Sequence, residues 1–381
     1  MHIELNEEQK MLREEVRRFA EEVVRPIAKE IDAKGIFPVD TIRQAAELGL
    51  TGVSVPEEYG GSGMDVLSYC LVIEEISRVC ASTGVILSVN NSLVCDPLLK
   101  WANEEQKQQF LKPLASGEKL GCFGLTEPGA GSDAASLRTT AVRDGDDYVI
   151  NGNKVFITNG TNADLALVFA TVDPSLKHKG ITAFIVSADT PGYSHGIHEY
   201  KLGVNASGTT ELAFADMRVP ASQRVGEEGD GFRIAMSTLD GGRIGIAAQA
   251  VGIAQGAFEE ALAYAQEREQ FGTAIAGFQA IQHYLADMST ELDAGRLLTW
   301  KAAWTKMNRK RFTLEAAQAK LFTSEMAQRV TNKALQIHGG YGYIREYNVE
   351  RYFRDARITE IYEGTSEIQK MVISDWVLNK S

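Results

Sequence analysis

The chain is poor in the residues that build covalent or metal-held frameworks, with 4 cysteines and 6 histidines in 381 residues. Cys70, Cys80, Cys95 and Cys122 stand at irregular spacing among apolar or small neighbours, which suits reduced core thiols rather than a disulfide framework or a zinc cage. His195 and His198 fall in a Gly-flanked polar stretch and His338 has no partner at ligand spacing, so no metal site is expected. No apolar run approaches the ~20 residues needed to cross a bilayer as a helix. A Gly-x-x-x-x-Gly-Lys-Ser/Thr loop is missing, as is a Gly-x-Ser-x-Gly elbow, and with them go the usual signs of a P-loop nucleotidase or a serine hydrolase. Positive charge is short as well. A formal net charge of -12 speaks against a nucleic-acid surface, while a local basic groove for a phosphorylated cofactor is still allowed.

Hydrophobic residues at 44% and charged residues at 24% are globular values, and the length calls for about two or three packed units. Met1 to Glu8 is acidic and runs straight into a helix, unlike a secretory signal or an Arg-rich transit peptide, so an intracellular protein is expected. Asn6 reads as an N-cap, with Leu12, Val16, Phe19, Val23 and Ile27 on one face and Pro26 bending or ending the helix. Further helices are expected from Asp40 to Gly49, Asp65 to Val79 and Glu104 to Ala115, with an apolar segment from Val85 to Trp101. The period then changes to that of strands. Thr139 to Arg143, a turn at Asp144 to Asp147, and Tyr148 to Ile150 read as a hairpin continued by Val155 to Thr158. Leu165 to Val172, Ile181 to Val186 and Thr209 to Phe214 add strands with no helix between them. An antiparallel barrel or sandwich follows from that pattern. Helical periodicity returns after Gly231, at about Ile234 to Gln266, through Ile281, Leu285, Met288 and Leu292, from Thr313 to Ile337, and in a last helix. These four members suggest a bundle. The expected plan is a multidomain α+β chain: an all-α domain at 1–120, an antiparallel β domain at 121–230 and a four-helix bundle at 231–381.

Candidate sites are scattered along this plan. Glu363 is followed directly by Gly364 and flanked by Tyr362, Thr365 and Ser366, which suggests a carboxylate on a tight segment that a ligand approaches closely. The same residues also read as the cap of a last helix, with Thr365 or Ser366 as N-cap and Glu367 in the first turn. Leu125 to Asp133 exposes backbone N–H groups at Gly129 and Gly131 and hydroxyls at Thr126 and Ser132. It suits a phosphate or a plain loop, but its third glycine position is Ala134 and no βαβ unit surrounds it. Arg268, with Gln270 and Gln279, ends a helix before a loop, where it either holds a pyrophosphate or offsets the helix dipole. Gln336 to Gly340 carries one more glycine than a C-cap needs.

Leu125 to Asp133, Lys154 to Asn159, Arg268 to Gly272, Gln336 to Gly340 and Ile361 to Thr365 together resemble, in that order, motifs of the acyl-CoA dehydrogenase family. Ser88 to Leu93, Thr238 to Gly245 and Arg357 to Glu360 look most like its short-chain, butyryl-CoA members. The resemblance implies FAD, a homotetramer built as a dimer of dimers, and oxidation of a saturated acyl-CoA to the trans-2-enoyl-CoA with an electron-transferring flavoprotein as acceptor. It implies Glu363 as the base that takes the α-proton, and its own backbone N–H together with a ribityl hydroxyl as support for the thioester oxygen. Relatives that carry the base on an earlier helix do so at the position of Gly242, which has no side chain for the task. The flavin would be lined by Phe123, Leu125, Thr126, Gly131, Ser132, Phe156, Ile157 and Thr158, Phe156 standing where relatives commonly have Trp. Arg268, Phe271, Gln279, Gln336, Ile337, Gly339 and Gly340 would hold pyrophosphate and adenosine, those of the neighbouring subunit's cofactor, with Thr365 and Glu367 touching the same cofactor. Ser132, Asp240, Arg243, Tyr362 and Gly364 would meet substrate. Branched-chain dehydrogenases and acyl-CoA oxidases share this pattern, and so would a non-catalytic member of the fold. The implied compartment is the bacterial cytoplasm or, for a mature eukaryotic chain, the mitochondrial matrix.

Overall fold

The computed structural model describes residues 4–379, so Met1 to Ile3 of the acidic N-terminal stretch lie outside the described residues. Asn6 caps α1 (Glu7–Phe19) in a reciprocal capping box, accepting from Gln9 N at 2.8 Å while the Gln9 side chain accepts from Asn6 N at 3.1 Å. Pro26 does not end the helix. A π turn (Ala20–Val24) precedes it, and α2 (Arg25–Lys34) continues to a left-handed Gly35. Proline lacks an N–H and its ring crowds the preceding turn, so a widened turn lets the rod carry on. After α3 (Val39–Glu47), α4 (Val66–Ser77) and α5 (Ala81–Ser88), the device recurs twice. The π turn Val89–Cys95 leads into α6 (Asp96–Trp101) with Pro97. Beyond the short α7 (Glu104–Gln106), the π turn Lys107–Leu111 leads into α8 (Lys112–Ala115) with Pro113.

The middle strands are β1 (Gly121–Gly124), β2 (Thr140–Asp144), β3 (Asp147–Ile157), β4 (Leu165–Thr171), β5 (Ile181–Ser187), β6 (Tyr193–His195), β7 (Thr210–Pro220) and β8 (Arg224–Val225). They form one sheet in the order β6-β7-β3-β2-β4-β5-β8, with β1 beside β4. The expectation of a purely antiparallel domain is corrected here. β1 pairs with β4 in parallel over Gly121 to Gly124, and β2 meets β4 in parallel at Thr140 and Thr171. Along β4 and β5 alternate residues enter two different cores. Leu165, Leu167, Phe169 and Ile185 pack with Val94, Leu98, Leu111 and Ile234, whereas Ala166, Val168, Phe184 and Val186 pack with Tyr148, Ile150 and Met217 of the same sheet. Strands covered on both faces carry continuous apolar runs instead of alternation, as these do.

The C-terminal part contains α9 (Gly231–Glu267), α10 (Gln279–Asn308), α11 (Thr313–His338), the short α12 (Val349–Ala356) and α13 (Ser366–Asn379). Between α9 and α10 a two-stranded ribbon, β9 (Glu269–Gln270) and β10 (Thr273–Ala274), carries Phe271 and Gly272 at its tip. The helix α9 is central: its Ile244, Ala247 and Ala248 pack into the N-terminal core, and its Ala250, Val251 and Ile253 into the bundle core. Buried Arg78 fastens α4 to α9 by donating to Glu75 at 3.1 Å and to Glu259 at 2.9 Å. All four cysteines are buried and free. Among the described residues no helix is long and apolar enough to cross a membrane, and no cluster of His, Cys, Asp or Glu suits a metal ion.

Candidate active site

The segment from Ile361 to Thr365 crosses from α12 to α13, and Glu363 and Gly364 both adopt positive φ, +52° and +94°. A non-glycine residue there costs of order 1 kcal/mol or more and persists only where its surroundings over-determine it. Here they do. The buried Gln369 amide donates to the Gly364 carbonyl at 2.8 Å and to the Glu363 carbonyl at 3.3 Å, and Lys320 Nζ on α11 donates to the same Gly364 carbonyl at 2.7 Å. Tyr362 N donates to Ile358 O at 3.1 Å, and its hydroxyl reaches Gln249 Oε1. Thr365 Oγ1 accepts from Ile368 N at 3.4 Å, so the cap and the tight carboxylate segment occur together.

Glu363 is half-buried, and the carboxylate oxygen it turns inward is unpaired. Glu363 Oε2 is shut off from solvent and has no hydrogen-bond partner. Burial pushes the carboxyl up to about 7, against the pull of Lys320 and Arg243. Gly242 on α9 makes the room: a Cβ there would lie 2.0 Å from Glu363 Oε2 and 2.7 Å from Leu93 Cδ2. Beside it Val85, Val89 and Leu93 form an apolar cluster with Phe123 and Tyr362. Arg243 donates to Asp240 Oδ1 at 2.8 Å, and Thr313 donates to Asp240 Oδ2 at 2.6 Å. Among the described residues the Glu363 N–H has no acceptor.

The structure sorts the other singled-out residues into two places. Phe123 joins β1 to the Glu363 neighbourhood, and Val155 N donates to Thr126 O at 2.9 Å, which ties the Leu125 loop to β3. On that edge Leu125 and Ile157 are buried, Thr126 and Thr158 half-buried, and Gly131 and Ser132 exposed. Phe156 is 70% exposed with φ +59°. Thr365 and Glu367 follow Glu363 directly, Glu367 pointing to solvent. Arg268, Phe271, Gln279, Gln336, Ile337, Gly339 and Gly340 lie elsewhere. Of these, Arg268, Ile337, Gly339 and Gly340 line a groove at the far ends of α9 and α11, where Arg268 sits 5.5 Å over the Tyr341 ring and nothing lies within 4 Å of a Cβ placed on Gly272, Gly339 or Gly340; Phe271, Gln279 and Gln336 are not part of its lining. At 1.5 Å per residue, Arg268 stands about 39 Å along α9 from Gly242.

Sequence reasoning missed Lys320, Gln369 and Gln249. Each is fully buried on a helix face otherwise made of small or apolar residues, as Lys320 is beside Ala316, Ala317, Thr323 and Ser324. A polar side chain at a core position of the helical period was the available signal. Glu127, read as part of a glycine-rich loop, is a strut: it accepts from Lys154 Nζ at 2.7 Å, Arg138 N at 2.6 Å and Thr139 N at 2.9 Å.

Known proteins match nearly the whole length of this chain. Family models for the N-terminal, middle and C-terminal domains of acyl-CoA dehydrogenases match residues 6–118, 122–217 and 229–378. The mitochondrial short-chain specific acyl-CoA dehydrogenase of Bos taurus is 53% identical over 376 residues, 99% of this chain and 91% of that one. Butyryl-CoA dehydrogenase of Megasphaera elsdenii superposes with a TM-score of 0.98 at 48% identity, with 100% of both chains covered. A solved chain described under the electron transferring flavoprotein of Acidaminococcus fermentans gives 0.99 at 48% identity, again with 100% of both covered. The chain belongs to the acyl-CoA dehydrogenase family, a family of flavoprotein oxidoreductases.

Proposed function

We propose that this dehydrogenase oxidises short-chain acyl-CoA thioesters to trans-2-enoyl-CoA, with Glu363 as the base that removes the α-proton. The carrying observation is the carboxylate itself, its inward oxygen closed to solvent and unpaired and its proton held up to about 7, beside an apolar cluster. A base poised near neutral pH both exists in its ionised form and gains from taking the proton. The free Glu363 N–H is the donor for the thioester oxygen as negative charge builds there, so side chain and main chain of one residue serve both ends of the enolisation. Gly364 gives the clearance, and Asp240 and Arg243 frame the entrance. The small cluster of Val85, Val89, Leu93, Phe123 and Tyr362 fits a short acyl chain.

The residues present fit a flavin: an exposed Phe156 face, hydroxyls on Thr126, Ser132 and Thr158, and open space over Gly129 and Gly131. FAD, when bound, accepts the hydride that leaves the β-carbon. Phe123, Leu125 and Ile157 complete that wall, while Thr365 and Glu367 reach it from α13. Arg268, Phe271, Gln279 and Gln336 to Gly340, at the end of α9 far from Gly242, would hold the cofactor of a neighbouring protomer, as the family pattern has it. The kinship with short-chain members supports a homotetramer, a dimer of dimers, with an electron-transferring flavoprotein as acceptor, and relatives from bacteria and mitochondria support the bacterial cytoplasm or the mitochondrial matrix as its place. Anaerobic titration of the yellow protein with butyryl-, octanoyl- and isovaleryl-CoA tests the reading. Butyryl-CoA is expected to bleach the flavin band fastest; no bleaching by any of them refutes the assignment. Isovaleryl-CoA leading would make it a branched-chain dehydrogenase, and rapid oxygen uptake an oxidase.

A further inference from the structure

Lys320 is the charged group at this site for which the proposed reaction has no use. It is fully buried on α11, and among the described residues no carboxylate lies within ion-pair distance of its Nζ, whose single hydrogen bond goes to the Gly364 carbonyl at 2.7 Å. An ammonium taken out of water without an ion pair weakens a fold, and a methionine of similar length would pack there at less cost. Stability therefore does not account for it. Its hydrogen bond ends on the residue after Glu363, at the carbonyl that also receives Gln369, so two donors from two helices clamp the Gly364–Thr365 peptide next to the left-handed Glu363, whose own carbonyl Gln369 reaches at 3.3 Å. The charged groups that face it are Glu363 and Glu367 on the segment it clamps and Arg243 on α9.

We propose that Lys320 is a positioning residue for Glu363: its ammonium pins the Gly364 carbonyl, aims the carboxylate at the space over Gly242, and keeps a positive charge behind the carboxylate without pairing with it. The proposal rests on Glu363 being the base. An ion pair would have lowered the basicity that the reaction needs, whereas a tether through the main chain fixes geometry and leaves both carboxylate oxygens available. Burial pushes the Lys320 ammonium itself down to about 7, the direction expected of a cation whose neighbours do not compensate it.

The test is Lys320→Met in the holoenzyme, beside wild type. Flavin reduction by saturating butyryl-CoA should fall about 10- to 100-fold, the scale of a misaimed catalytic group, with KM within about threefold. Thermal stability and FAD content should hold or rise, and the inflection of kcat/KM against pH should move up, because a positive neighbour of Glu363 is gone. A crystal structure of the variant should show Glu363 out of its left-handed conformation, a readout that needs no substrate. Reduction within twofold of wild type, or a rate loss that only parallels loss of stability and FAD, overturns the proposal. Should Lys320→Met fail to fold, Gln369→Met removes the second donor to the same carbonyl without changing any charge. It should lower reduction with the pH inflection unmoved, and an unchanged rate refutes the clamp. A wild type that no acyl-CoA reduces refutes the function instead, and the crystallographic arm still decides the clamp.

Discussion

Two buried lysine–glutamate neighbourhoods in this molecule use the same residue types to opposite ends. In the middle domain Lys154 is fully buried and Glu127 nearly so, 2.7 Å apart, and two main-chain N–H groups complete the carboxylate's shell. Burial alone would raise Glu127; Lys154 and the surrounding donors override it and hold the carboxyl below its usual range, while burial pushes Lys154 down to about 8. In the bundle Glu363 turns one carboxylate oxygen out of solvent near Lys320 without pairing to it, and its carboxyl goes up to about 7. Burial is common to both. What separates a strut from a base is whether donors reach the carboxylate oxygens or stop at a neighbouring carbonyl.

The largest way to sharpen this contrast is Glu363→Gln, which keeps the shape and removes the basicity. Flavin reduction by acyl-CoA should fall by about 10²- to 10⁴-fold in single-turnover measurements, with FAD retained and the acyl-CoA still bound. Near-normal turnover would place the base elsewhere. The matching cut at the strut is Lys154→Met. That leaves Glu127 buried with only its main-chain donors, and breaking a buried pair from one side costs about 3–5 kcal/mol, read as a lower midpoint in denaturant. A loss under about 1 kcal/mol would mean that the Arg138 and Thr139 N–H groups alone satisfy the carboxylate.

How much of this was legible in the sequence follows from the distance over which each feature is encoded. Helix periodicity is local, and the long bundle helices lie within a few residues of where the pattern puts them, as does the Asp144 to Asp147 turn, where Gly145 has φ +65°. The tight Glu363 segment was legible because Glu-Gly and the following hydroxyls are contiguous. Lys320 was less so: it sits 44 residues before the carbonyl it holds, and its place at a core position of the helical period marks it as unusual without saying which site it serves. The parallel pairing was hidden for a related reason. β1 is four residues long, and its partner β4 lies beyond the whole β2–β3 hairpin. Pro26 was legible as a disturbance, Pro97 and Pro113 went unread, and a proline by itself does not say whether a helix stops or widens into a π turn and continues.

The smallest effect is also the one that separates the two carboxylates within one preparation. Glu363 must lose its proton before it accepts one from the substrate, so kcat/KM should rise by about tenfold per unit below an inflection near 7 and level off above it. Lys320 titrates in the same window, so the inflection belongs to the pair. Stability should carry the opposite sign. The folded state holds the Glu363 proton more tightly than the unfolded chain, so this group's contribution is present below its ordinary value of 4.5 and is lost as pH rises to about 7. Glu127, held below its ordinary value, contributes in the reverse direction: its stabilisation is present above 4.5 and is lost as pH falls through its depressed value. Subtracting the Glu363→Gln melting curve from that of wild type between pH 4.5 and 7 isolates the first term, which should show wild type losing ground as pH rises. A difference that stays flat across that range would mean that Glu363 titrates as an ordinary carboxyl, and the contrast with Glu127 would disappear.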